Sequence, residues 1–189
     1  MADFGIAELG KPHDRPFFLT IGFHKPHMPW NVPEKYFLMH PLDEIELPPT
    51  TPDDLGDIPA AGVKMAKPDG DHAAMLASGR WKEAVQPYLA TITYLDAQIG
   101  RVLDAYEKSP HRDNTIICLW GDHGWHLGEK EHWRKFALWE ESHPRAVHLG
   151  GPRHHPARRR LHAAGRFHEH LSHAVRADRR RETRVGGRA

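Results

Sequence analysis

Residues 115–120, Thr-Ile-Ile-Cys-Leu-Trp, form a β-branched and apolar run with no alternation, and the run stops at Gly121-Asp122-His123-Gly124. A continuous apolar stretch of that length predicts a strand covered on both faces of a sheet. The two glycines allow a tight turn just beyond it. Open α/β sheets gather ligands at the carboxyl ends of their strands, and there Asp122 and His123 place a carboxylate oxygen beside an imidazole nitrogen, a donor pair suited to a metal ion. Asp-His-Gly alone equally suits a turn with a surface histidine. The longer run through Lys135 carries the argument further.

A second apolar run, Phe-Phe-Leu-Thr-Ile-Gly-Phe at 17–23, follows Pro16 and leads into His24-Lys25-Pro26-His27-Met28-Pro29-Trp30. It predicts another buried strand. The prolines restrict the backbone of the following loop, so two imidazoles and an ammonium are held together as a candidate anion site. Between the runs, Val85, Leu89, Ile92, Leu95, Ile99, Val102 and Tyr106 repeat at three- and four-residue spacing, which predicts a helix over 81–107 with one face on a sheet. Pro87 should mark its regular start or a bend, and Ser109-Pro110 its end. Residues 31–79 read as loop and extended chain, apart from one short helix over 33–40 with Pro33 in its first turn. Strand, helix and strand together predict an α/β fold with parallel strands joined by a crossover helix. Both motif loops would then leave the same sheet edge, and His27 would meet Asp122 and His123 in one cleft.

The segment Gly-Asp-His-Gly-Trp-His-Leu-Gly-Glu at 121–129 closely resembles the corresponding segment of type I sulfatases, especially the iduronate-2-sulfatase and choline-sulfatase branch. Residues 17–29 resemble that family's Phe-Phe-Leu-x-x-Gly-x-His-Lys-Pro-His-x-Pro segment independently. The resemblance covers roughly residues 16–142 and implies a fragment of an alkaline-phosphatase-like sulfatase domain. It implies that Asp122 and His123 bind Ca2+, that Lys135 contacts the sulfate, and that His27 contacts it too and protonates the leaving oxygen. His24 and Lys25 would support the site, and Trp125 would stand at the substrate mouth. The substrate class it implies is a small-molecule or carbohydrate sulfate ester, handled by a periplasmic or secreted parent.

Sulfatases make their nucleophile by oxidising the cysteine of a Cys-x-Pro/Ala-x-Arg motif to formylglycine. The single cysteine here, Cys118, is followed by Leu-Trp-Gly-Asp and reads as a packing residue. The family's first pair of calcium-binding aspartates has no counterpart either. Calcium usually takes about six to eight oxygen-rich ligands, so Asp122 and His123 should hold it weakly. These departures imply a partial sulfatase chain that is inactive alone. Two other readings stay open: a phosphatase or phosphonate hydrolase of the same superfamily, and a non-enzymatic anion- or polyanion-binding protein.

The net charge of +1 conceals a division of composition. Residues 1–142 hold 14 Lys and Arg against 22 acidic residues, whereas 143–189 hold 12 Arg, no Lys and 3 acidic residues. All six Trp precede residue 143, so the tail has little with which to build a core. The sequence therefore divides into a partial catalytic domain at 1–142 and an Arg/His-rich tail at 143–189, expected to be disordered or frameshifted. Codons chosen for 143–152 and read one nucleotide later give Thr-Arg-Ala-Pro-Phe-Ile-Trp-Val-Ala, the continuation expected of the family, and a stretch ending at Ala177 behaves alike. An Arg-rich arm also attracts polyanions, but with few aromatics beside it there is little for bases to stack on, and no specific nucleic-acid role is expected. No stretch is long and apolar enough to predict a membrane span.

Overall fold

The computed structural model describes residues 1–51 and 53–143, together with the backbone of 147–150 and 160–161. It divides into two compact units, one of Met1–Arg112 with His126–Ala137 and the other of Asp113–Trp125 with the chain from Leu138 on. The expected division at 142/143 concerns a tail most of which lies outside the described residues.

The first unit is built around α5, Trp81–Glu107, the helix that the apolar spacing predicted. Its packing partners are helices: α1 (Ala2–Leu9), α2 (Glu34–Phe37) and α4 (Ala73–Ser78). The expected sheet beneath α5 is replaced by this helical layer. The buried face shifts accordingly, with Val85, Ala90, Thr91 and Tyr106 inside and Ile92 40% exposed. Small residues at 90 and 91 let neighbouring helices approach where a row of large aliphatics would keep them apart. Pro87 lies inside the helix rather than at its start. It withholds an N–H from the ladder, and the Thr91 hydroxyl donates to the Pro87 carbonyl at 2.6 Å one turn on.

Tyr36 of α2 meets Tyr94 of α5 edge-on at 5.4 Å, while His40 contacts the Thr93 hydroxyl at 2.8 Å and Gln86 Nε2 donates to the His40 carbonyl. The stretch 31–79, read as loop and extended chain apart from one short helix, contains two further α-helices, α3 (Ala60–Ala66) and α4. Pro59 precedes α3, and Gly79, at φ +65°, ends α4 in the left-handed conformation that glycine adopts without strain.

Residues 17–23 are extended but carry no strand pairing, which corrects the expectation of a buried strand there. Exposure alternates along them, with Phe17, Leu19, Ile21 and Phe23 half-buried and Phe18 88% exposed. That is the two-residue period of an extended chain with one face covered. Ile21 packs so closely on α1 that a Cβ at Gly5 would lie 2.3 Å from its Cδ1.

In the second unit β1, Ile117–Trp120, forms within the predicted run and pairs antiparallel with β4, Val147–Gly150. β5, Arg160–Leu161, adds to the far side of β4, leaving β1 at the edge. Leu119 and Trp120 are 38% and 42% exposed, so β1 is not covered on both faces as expected. Among the described residues the strand pairs are antiparallel, so the parallel pair that placed both motif loops on one sheet edge is not formed.

Candidate functional site

The His24–Trp30 turn belongs to the first unit. Its two X-Pro bonds, Lys25-Pro26 and Met28-Pro29, are cis. The His27 amide closes the turn on the His24 carbonyl at 3.1 Å, and the two imidazoles lie 4.8 Å apart by centroid. His27 Nδ1 is 2.7 Å and His24 Nε2 3.4 Å from the Met28 carbonyl. A carbonyl only accepts, so Nδ1 of His27 carries hydrogen, and in the neutral ring Nε2 is the nitrogen without one. Lys25 Nζ donates to the Pro29 carbonyl, and Trp30 Nε1 donates to the Pro26 carbonyl at 2.8 Å. Lys25 and Trp30 thus shape the turn, and His24 packs against the exposed His27 ring.

Lys135 lies in the same unit, half-buried, one residue after the hairpin of β2 (His126–Leu127) and β3 (Trp133–Arg134). That hairpin is anchored on side chains that the sequence reading did not single out. His132 Nδ1 donates to the Ala66 carbonyl at 2.8 Å, Trp81 Nε1 to the Leu127 carbonyl at 2.7 Å, and Arg134 Nε to Asp71 Oδ2 at 2.8 Å. His126 and His132 are almost wholly buried, with ring centroids 5.0 Å apart. His72 is buried edge-on against Trp81, and desolvation pushes its pKa down despite the opposing pull of Glu131. The hydrogen-bond partners of His132, Trp81 and Arg134 are remote in sequence, which is why spacing alone does not reveal them.

Asp122, His123 and Trp125 belong to the second unit. Asp122 Oδ1 accepts from the His123 amide at 3.1 Å, and its other oxygen lies 3.8 Å from His123 Nε2. His123 Nδ1 donates to the Gly124 carbonyl at 2.7 Å, so in the neutral ring Nε2 presents its lone pair beside the exposed Asp122 carboxylate. Gly124 donates to the Ser142 carbonyl at 3.0 Å, and a Cβ there would lie 1.9 Å from the Glu141 carbonyl oxygen. Trp125 is half-buried at the end of this loop. Asp122 and His123 provide one carboxylate and one imidazole. Among the described residues no group of three or more His, Cys, Asp or Glu is placed to hold a metal, so the pair fits one side of a coordination shell and not a complete calcium site.

Cys118 lies half-buried in β1, where burial raises its thiol pKa.

Residues 1–150 match the sulfatase family, and the chain belongs to that family, within the alkaline-phosphatase-like superfamily. It is 44% identical over 151 residues to a sulfatase of Formosa agariphila, a match covering 78% of this chain and 29% of that protein. Against the iduronate 2-sulfatase of Mus musculus it is 34% identical over 142 residues, covering 70% and 26%, respectively. Against the choline-sulfatase of Rhizobium meliloti it is 25% identical over 166 residues, covering 80% and 30%. The chain therefore spans less than a third of the length of these relatives.

Proposed function

We propose that this chain carries the sulfate-side half of a sulfate ester hydrolase, acting on a small-molecule or carbohydrate sulfate ester. Membership of the sulfatase family supports the reaction class, and the His24–Trp30 turn supports the assignment of roles. As the imidazolium, with hydrogen on both nitrogens, His27 gives its Nε2 proton to the leaving oxygen and is left neutral, its ring oriented by the Nδ1 bond to the Met28 carbonyl. Lys135 holds the terminal sulfate oxygens through its ammonium group. His24 and Lys25 keep the turn in shape, and Trp125 borders the substrate.

Asp122 and His123 would hold Ca2+ together with ligands from outside this pair. Such an ion supplies charge stabilisation at the sulfate, and these two residues contribute its carboxylate and imidazole donors. The nucleophile comes from elsewhere, because Cys118 lacks the Cys-x-Pro/Ala-x-Arg motif, and the chain alone does not turn over.

The test is to express this segment in one reading frame with a sulfatase nucleophile segment and to assay matched aryl sulfates and aryl phosphates. Preferential sulfate hydrolysis, with Lys135→Ala weakening both binding and turnover, is the expected result. Preferential phosphate hydrolysis would instead favour the phosphatase reading.

A further inference from the structure

The hairpin that delivers Lys135 pairs only two residues per strand, His126 with Arg134 and Leu127 with Trp133. So short a ladder does not hold its own position in water, and its placement comes from contacts beyond it. Trp81, the first residue of α5, reaches both strands. Its Nε1 donates to the Leu127 carbonyl at 2.7 Å on β2, and its ring lies 6.3 Å from that of the buried Trp133 on β3.

The turn between the strands is shaped to receive this ring. Gly128 has φ +128°, and a Cβ there would stand 2.1 Å from Trp81 Cζ2, so the indole rests directly on glycine backbone. From Trp133 the chain reaches Lys135 in two residues, passing through Arg134 at φ +78°. A rotation of Trp133 is carried to Lys135 with no intervening flexible stretch. Other ties hold the same segment: Lys130 to Asp54, His132 to Ala66 and Arg134 to Asp71.

We propose that Trp81 is a positioning residue that sets where Lys135 stands, by bonding the Leu127 carbonyl and seating its ring on Gly128. The proposal rests on the reading of Lys135 as a sulfate contact. It makes the start of α5 part of the anion site's support.

The experiment uses the 189-residue chain itself. Lysines are acetylated with a limiting reagent, with and without inorganic sulfate, and each lysine's rate is read by mass spectrometry. In the unaltered chain sulfate should slow acetylation of Lys135. Trp81→Phe, which keeps a ring but removes the N–H, and Gly128→Ala, which displaces the ring, should each weaken that protection about tenfold, the scale of one lost hydrogen bond. The double variant should lose little more, while Lys130 keeps its rate throughout. Wild-type protection in Trp81→Phe overturns the positioning role, and so does a parallel rise at Lys130, which would mean general loosening of the hairpin. Absence of sulfate protection in the unaltered chain defeats the underlying assignment of Lys135, a distinct failure that removes the proposal with it.

Discussion

Lys130 Nζ stands 2.6 Å from Asp54 Oδ1 and 3.1 Å from the Asp54 carbonyl, joining the hairpin to a segment 76 residues earlier. Both side chains are largely covered, at 29% and 21% exposure. The pair is therefore screened less than a surface bridge. Lys130 also holds a positive φ of 53°, so its backbone is set in a conformation that the ion pair helps retain.

Asp54→Ala should lower stability by about 1–3 kcal/mol, the range for losing a charge-assisted hydrogen bond with partial burial. Urea denaturation measures it. Asp54→Ala combined with Lys130→Ala should be less destabilising than the sum of the two, whereas strict additivity would show that the pair contributes nothing as a pair.

Gly124→Ala should distort the Asp122–His123 loop, because the new methyl would lie 1.9 Å from a backbone oxygen, where no side-chain rotation relieves the clash. Overpacking of this kind costs about 1–3 kcal/mol. The readout is amide exchange at Gly124, whose N–H is bonded to the Ser142 carbonyl. Faster exchange there is expected. Gly121→Ala, which meets nothing closer than 3.7 Å, should leave it unchanged, and equal effects from the two substitutions would contradict this account.

His72 gives the chain an acid-sensitive site. Burial lowers its folded pKa, so the unfolded chain binds a proton more readily than the folded one. The stability that the neutral ring contributes is present in full above the unfolded value near 6.5, and is lost as pH falls from there through the depressed folded value. Glu131 opposes the shift and narrows the window. Thermal melts of the chain and of His72→Leu at pH 8, 6 and 5 should diverge: the variant loses less on acidification. Parallel pH profiles would rule His72 out as a source of acid sensitivity.

The long helix was legible because its apolar residues recur at the helical period over 27 residues, and β1 because a β-branched run ends sharply at glycine. Helices α3 and α4 were not, since Ala60–Ala66 and Ala73–Ser78 are short and rich in small residues that give no strong apolar stripe. The run at 17–23 was legible as extended chain, but apolarity alone does not say which faces are covered, and only one is. The His24–His27 turn and the Asp122–His123 pair were legible because their members are adjacent in sequence. The supports at Trp81 and His132 were not, because their partners Leu127, Trp133 and Ala66 are tens of residues away.

The central claim is that His27 is the proton donor of a sulfate ester hydrolase, and the most direct measurement is the leaving-group dependence of kcat in a completed domain. Charge develops on the leaving oxygen as the S–O bond breaks, so esters with poor leaving groups need the donated proton most. His27→Ala should reduce kcat by about 100- to 10,000-fold for alkyl or sugar sulfates, the usual scale of general acid catalysis, and far less for activated aryl sulfates. An equal loss for both classes would contradict the assignment.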